Sequence, residues 1–241
     1  MPEEELEKLS REEKKLVRGW IYQSALFLVI YLPVIFTAAG DWRWLWGWVF
    51  YLILILFLAA HPILLLPTHP SLLAERARGT QTEDTKKWDR ILTMAGAGFL
   101  PFASQWIGFL DHRFGWTGSI RITFNIAGMI VTCLGYALFL WAMASNAFFA
   151  EGVRIQSSRG HSVCDTGPYR YVRHPGYVGS ILSIFGTPLM LGSLWAMVPA
   201  AVGAAAFVIR TGLEDRTLQL ELKGYATYAA EVRYRLIPGL F

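Results

Sequence analysis

The chain has 241 residues, of which only 17% are charged while 54% are hydrophobic and 15% aromatic, with 10 Trp. A soluble domain carries roughly 25% charged residues. The shortfall, together with apolar runs such as Ala25–Ala39 and Trp44–Ala60, excludes a water-soluble globule, a disordered chain and a secreted disulfide scaffold. An all-α, polytopic membrane helical bundle is expected. The formal charge of +4 and pI near 9.1 are then read as loop charge held against anionic membrane lipid, with no nucleic-acid partner.

Residues 1–18 mix both charge signs, with Leu6, Leu9, Leu16 and Val17 at helical spacing, and Ser10 with Glu13 forms a capping box. A membrane crossing needs about 20 apolar residues. The stretches at about 19–39, 43–66, 90–110 and 120–144 qualify, and the block 176–211, broken only at Gly192-Ser193, reads as a tight helical hairpin. About six crossings follow. Between the second and third, the connector 67–89 reads as amphipathic, with Leu72, Leu73 and Trp88 on the membrane and Glu75, Arg76 and Lys87 in water. His61, Gln105 and Asn125 are the main polar residues inside the spans and are expected to hydrogen-bond between helices.

Of the 22 Lys and Arg, only Arg43, Arg113 and Arg121 fall in loops on one side. The other side is therefore cytoplasmic and carries both termini, in the plasma membrane if the source is prokaryotic or the endoplasmic reticulum if eukaryotic. Trp42, Trp44, Trp46, Trp116 and Trp195 then mark an outer aromatic belt. Cys133 sits in an apolar run and Cys164 in a polar loop, so no disulfide is expected, and no metal-ligand spacing is present.

The segment 145–177 is too long and too rich in Arg, His and Tyr for a bare connector. Gly167-Pro168 and Pro175-Gly176 fix its turns. Further on, Arg210 and Glu214 lie four residues apart on one helical face, and Tyr225, Tyr228, Tyr234 and Ile237 suggest a segment folded back on the membrane. The run Gly167-Pro-Tyr-Arg-Tyr-Val-Arg-His-Pro-Gly-Tyr-Val-Gly179 resembles the isoprenylcysteine carboxyl methyltransferase family. So do the downstream Glu214-Asp215 pair, Tyr225-x-x-Tyr228 and Arg235-x-x-Pro238. The phospholipid N-methyltransferases share this general plan. The resemblance covers roughly 120–241 and divides the chain into accessory residues 1–89 and a core at 90–241. That core combines the loop 145–177 with a C-terminal helical segment, 210–241. Two departures stand out: Asp215 replaces a second Glu, and Leu222-Lys-Gly224 replaces a Phe-Gly element.

The resemblance implies S-adenosylmethionine as methyl donor. By position it implies a cofactor pocket of Arg154, His161, Ser162, Val163, Cys164, Tyr169, Arg173, His174, Pro175, Gly176, Tyr177 and Glu214, with Arg210 facing an anionic substrate group. Arg210, Glu214 and His174 are the candidate catalytic residues. Chemically, a carboxylate suits the donor's ammonium, Arg154 or His161 its carboxylate, and Tyr169 or Tyr177 its sulfonium. A carboxylate or thiolate acceptor needs no general base, whereas an amine or hydroxyl would call on His174 or Glu214. The expected acceptor is lipophilic or small. The alternatives are an NADPH-dependent reductase of the sterol-reductase type, in which Arg154, Arg159 and Arg173 would serve a 2′-phosphate, and a non-enzymatic membrane scaffold or channel.

Overall fold

The computed structural model describes residues 9–78 and 86–239. Leu6 and Lys8 of the tail, residues 79–85 of the connector and the last two residues lie outside it. Among the described residues every regular element is helical. In chain order these are α1 (Arg11–Ala39), α2 (Leu45–Thr68), α3 (Pro70–Arg78), α4 (Lys87–Thr93) and α5 (Leu100–Phe114). Then follow α6 (Ile122–Ser145), α7 (Pro175–Leu191), α8 (Met197–Glu221) and α9 (Tyr225–Glu231). The helices α1, α2, α6 and α8 are long and apolar enough to cross a membrane.

Helix α1 starts at the expected capping box: the Ser10 N–H donates to Glu13 Oε2 (2.9 Å) and the Glu13 N–H to Ser10 Oγ (3.2 Å). It ends where Gly40 takes a left-handed conformation (φ 68°). The expected third crossing is a composite. A π-type segment, Met94–Phe99, joins α4 to α5. Pro101 has no N–H to offer the Ala97 carbonyl and its ring crowds it, so the turn before it widens. At that wide turn Gly96 lies against Gly203 and Ala206 of α8.

The closest helix pair is α6 with α7. A Cβ added at Gly128 would stand 2.2 Å from the Met190 nitrogen, and one at Gly186 2.6 Å from the Thr132 nitrogen. At Gly135 and Gly179 the added atom would meet the partner's backbone oxygen at 2.6 and 2.5 Å. Small residues seven apart on each helix thus let backbone touch backbone, which is how helices gain dispersion energy where lipid removes the hydrophobic drive. Helix α7 has only 17 residues, about 26 Å at 1.5 Å per residue, shorter than the ~30 Å hydrocarbon core. Its N-terminus, His174-Pro175, can therefore start below the membrane surface, where the polar loop arrives. Gly192 (φ 81°) closes the expected hairpin into α8.

Gln105 and Asn125 bond between helices as expected, Gln105 accepting from Tyr31 (2.6 Å) and Asn125 donating to the Met190 carbonyl (2.8 Å). His61 does not. Its Nδ1 pairs with the Phe57 carbonyl of its own helix (2.8 Å), because Trp20, Phe57 and Phe139 surround the ring and offer no polar partner. Trp42, Trp116 and Trp195 are exposed, whereas Trp44 is buried and stacked on His112 with centroids 4.2 Å apart. Both cysteines are free thiols.

Candidate functional site

The connector lies differently from its sequence reading. In α3, Leu72, Leu73, Ala74 and Glu75 are all buried, and Leu72 and Leu73 join Leu65 and Met143 in a core cluster. Glu75 does not face water: it accepts from Arg154 of the polar loop and from Arg78. The reason is periodicity. Leu72, Glu75 and Arg76 share one helical face, and packing Leu72 inward carries the two charged side chains with it.

Arg76 of this face lines a cavity of about 490 Å³, within the range of small-molecule sites. Of the thirteen site residues expected from sequence, twelve line it: Arg154, His161, Ser162, Val163, Cys164, Tyr169, Arg173, His174, Gly176, Tyr177, Arg210 and Glu214. Pro175 is buried beside it as the first residue of α7, where its missing N–H costs nothing. Gly176 has a steric role, since a Cβ there would lie 2.5 Å from the Phe149 ring. The π segment adds Met94, Ala97 and Gly98 to the wall, and α8 adds Phe207.

The polar loop is tied down from several sides. Gln156 donates from Nε2 to the Phe148 carbonyl (2.9 Å), and Arg159 to Ser71 Oγ (3.0 Å) and the Ala147 carbonyl (3.1 Å). His161 stacks on Phe148 and accepts the Gln156 N–H at Nδ1 (3.2 Å). Burial, and to a lesser degree the Arg159 charge, lower its pKa to about 4. It is thus neutral near pH 7 with its proton on Nε2. Tyr169 is buried; its hydroxyl accepts from Asn146 (3.3 Å) and its carbonyl accepts the Tyr228 hydroxyl (2.8 Å). Burial drives the Tyr169 phenol well above its ordinary pKa.

Asp215, the departure from a second Glu, is the clamp of the C-terminal segment. It accepts from Arg173 Nε (2.7 Å) and Nη2 (3.0 Å), Arg235 Nε (2.9 Å), Gln219 Nε2 (2.8 Å) and the Tyr225 hydroxyl (3.0 Å). His174 Nε2 lies 3.3 Å from the same carboxylate. Arg173 also donates from Nη1 to the carbonyls of Val232 and Arg233 (both 2.7 Å). Its backbone N–H meets the Tyr234 carbonyl, and that of His174 the Arg235 carbonyl, both at 2.9 Å. Arg173 therefore holds the protein together while touching the cavity. Burial works against its charge, but the Asp215 hydrogen bonds and charge outweigh it and raise its pKa.

Arg210 and Glu214 project from α8 into the cavity. Glu214 accepts from the Tyr177 hydroxyl. The Tyr177 ring lies under the Arg210 guanidinium, 5.2 Å from centroid to carbon, and runs parallel to the His174 ring. Arg210 donates to Asp89 of α4 from Nε (2.6 Å) and Nη2 (3.2 Å), and to the Glu151 carbonyl. Asp89 also accepts the Val153 N–H (2.7 Å) and is fully buried.

Sequence reasoning missed Glu75, Arg76, Asp89 and Glu151 as wall or support residues. For the first two the signal was present, as charged residues in register with Leu72. Asp89 and Glu151 had none, because each becomes meaningful only once α4 packs on α8. Among the described residues no group of three or more His, Cys, Asp or Glu side chains could hold a metal ion. The arginines that a 2′-phosphate would need are already engaged: Arg154 by Glu75, Arg159 by Ser71 and its neighbours, Arg173 by Asp215.

The sequence model of the isoprenylcysteine carboxyl methyltransferase (ICMT) family matches residues 127–220. That range contains all thirteen expected site residues and excludes Glu75, Arg76 and Asp89. The chain is 28% identical over 179 residues to the cobalt-zinc-cadmium resistance protein CzcN of Cupriavidus metallidurans, covering 73% of this chain and 71% of that protein. It is 32% identical over 90 residues to the rat protein-S-isoprenylcysteine O-methyltransferase, covering 36% of this chain and 32% of the relative. To the human protein of the same name it is 27% identical over 121 residues, covering 49% and 41%. The chain thus spans less than half the length of these methyltransferases.

Proposed function

We infer that this integral membrane methyltransferase, whose residues 127–220 belong to the isoprenylcysteine carboxyl methyltransferase family, takes S-adenosylmethionine as donor and a lipophilic or small carboxylate or thiolate as acceptor. The observation that carries the reading is the convergence of twelve residues from a loop and two helices on one cavity of about 490 Å³. The donor set fits a zwitterion with a sulfonium. Glu214 is a carboxylate on the wall for an ammonium. His161 offers an N–H from a neutral ring, and Tyr169 offers an aromatic face. The Tyr177 face is covered by Arg210, so its part is taken through the hydroxyl that orients Glu214.

S-adenosylmethionine supplies an electrophilic methyl group on a sulfonium. The residues of this chain have the task of alignment and exclusion of water. Methyl moves to an acceptor that already carries an electron pair and a negative charge, so no proton has to be removed. The Nδ1 lone pair of His161 is taken by the Gln156 N–H and His174 Nε2 lies against Asp215, which supports a reading without a general base. Arg210, oriented by Asp89, faces the acceptor's side of the cavity. The apolar residues Met94, Ala97 and Phe207 lie where a lipophilic acceptor would enter from the membrane. The bias of Lys and Arg puts the polar loop and both termini on the cytoplasmic face.

The test is binding of S-adenosylmethionine and S-adenosylhomocysteine to the detergent-purified full chain by calorimetry. Glu214→Ala should weaken both by about 10- to 100-fold, or about 1.4–2.8 kcal/mol, and His174→Ala should weaken them by loosening the Asp215 clamp. Unchanged affinity in both variants, or no binding by the parent, would sink the assignment.

A further inference from the structure

The cavity wall carries four guanidinium groups, those of Arg76, Arg154, Arg173 and Arg210. Three are bound directly to a buried carboxylate: Arg154 to Glu75, Arg173 to Asp215 and Arg210 to Asp89. Arg76 is not held this way. Its ion pair with Glu151 is long, 3.5 Å from Nη2 to Oε1, and the Glu151 side chain is 36% exposed against 12% for Arg76. Its Nη1 reaches the Phe149 carbonyl only at 3.4 Å. Among the described residues these are its polar contacts, which leaves most of the five donors of a guanidinium unused.

The rest of its surroundings is aromatic. The guanidinium carbon lies 5.7 Å from the ring centroids of both Phe139 and Phe149, which pack edge-to-face on each other 5.2 Å apart, so the cation rests against an aromatic pair. Burial lowers the Arg76 pKa and the neighbouring Arg210 charge adds to the effect, with Glu151 opposing. Two cations therefore sit near one another, one satisfied by Asp89 and one with donors to spare. Glu151 touches both, through its side chain to Arg76 and its carbonyl to Arg210. A half-buried cation held so loosely gains when an anion completes it.

We propose that Arg76, supplied by the accessory residues 1–89, is the residue that receives the carboxylate of the methyl acceptor. This rests on the reading of the cavity as a methyltransferase site. The incoming carboxylate completes the hydrogen bonding of Arg76, relieves its repulsion with Arg210, and competes with the long Glu151 contact. The adjoining rings of Phe139 and Phe149 accept the first apolar atoms of a lipophilic chain. Arg76 lies outside the family-matched stretch 127–220, so acceptor selection is separated in the sequence from donor binding.

The experiment measures binding of N-acetyl-S-farnesylcysteine and of its carboxamide to the full chain in nanodiscs, with and without S-adenosylhomocysteine. The parent should prefer the carboxylate at least tenfold, about 1.4 kcal/mol. Arg76→Gln should abolish that preference while S-adenosylhomocysteine affinity changes less than twofold, and Arg76→Lys should keep part of it. Glu151→Gln, which frees Arg76 from its competitor, should tighten carboxylate binding, an outcome that misfolding cannot mimic. The proposal is overturned if the parent shows no preference, if Arg76→Gln retains it, or if Arg76→Gln weakens the homocysteine ligand as much as the acceptor. The last result would assign Arg76 to the donor's own carboxylate. Failure of the parent to bind S-adenosylhomocysteine would remove the donor reading, while the acceptor arm measured without it still decides the role of Arg76.

Discussion

Replacing Asp215 with asparagine keeps the shape of the side chain and removes its charge. In the native protein that carboxylate is fully buried and receives Arg173 through two bonds of 2.7 and 3.0 Å and Arg235 through one of 2.9 Å. An asparagine removes the negative charge that Arg173 and Arg235 share at this position and turns an NH2 toward one of them. Breaking one side of a buried ion pair costs about 3–5 kcal/mol. Because Arg235 is 36% exposed and water can take over part of its charge, the lower end, about 3 kcal/mol, applies here. Against a total stability of about 5–15 kcal/mol this is a large share, worth about 6–12 °C in the unfolding midpoint of a chain this size. The clamp also sets the cavity wall, since Tyr225, which lines it, donates its hydroxyl to Asp215. Thermal unfolding in detergent and S-adenosylhomocysteine binding should therefore both fall. Glu221→Gln, which removes only the half-exposed pair with Lys86, is the control and should cost less than about 1 kcal/mol. If Asp215→Asn shifts the midpoint no more than Glu221→Gln does, Asp215 is not the clamp.

Three further outcomes follow from other parts of the structure. Gly186→Ala places a methyl 2.6 Å from the Thr132 backbone nitrogen and should destabilise by about 1–3 kcal/mol. Gly212→Ala on α8, with open space around it, should not lower the thermal midpoint in the same assay. His161 has a folded pKa near 4, below the roughly 6.5 of an unfolded histidine. Its contribution is constant above about pH 6.5 and is lost as pH falls toward 4, because the unfolded chain takes up a proton that the folded site refuses. Stability measured from pH 8 to 4 should fall over that window, and His161→Asn should flatten that part of the slope; an unchanged slope would refute the burial argument. Asp89→Asn leaves Arg210 buried without its counter-charge, so the apparent KM for an acceptor should change while S-adenosylmethionine affinity holds; equal losses in both would place Asp89 in general stability alone.

Much of this protein was legible in its sequence because membrane solvent makes strong demands. Lipid tolerates only satisfied backbone, so apolar runs of sufficient length had to become helices. Scarce charge left the polar loop and the 210–215 turn of helix standing out. The capping box at Ser10, the hairpin at Gly192 and the shared face of Arg210 and Glu214 are local facts, fixed by bonds within four residues or by the helical repeat. The motif residues of 154–177 also had to lie together, since Gly167-Pro168 and Pro175-Gly176 allow the loop few conformations.

What tertiary structure alone decided is which charge meets which. Asp89 and Arg210 are 121 positions apart, and Glu75 and Arg154 are 79. No periodicity links such pairs; they meet because Gly96 lets α4 and the π segment approach α8, and because Leu72 turns α3 inward. Those packings changed the reading of the connector from a surface strap to a cavity wall. They also converted Arg210 from a free cation into a satisfied one. Arg76 was left as the loosely held cation, a distinction that depends on distances of tenths of an ångström and that composition cannot encode.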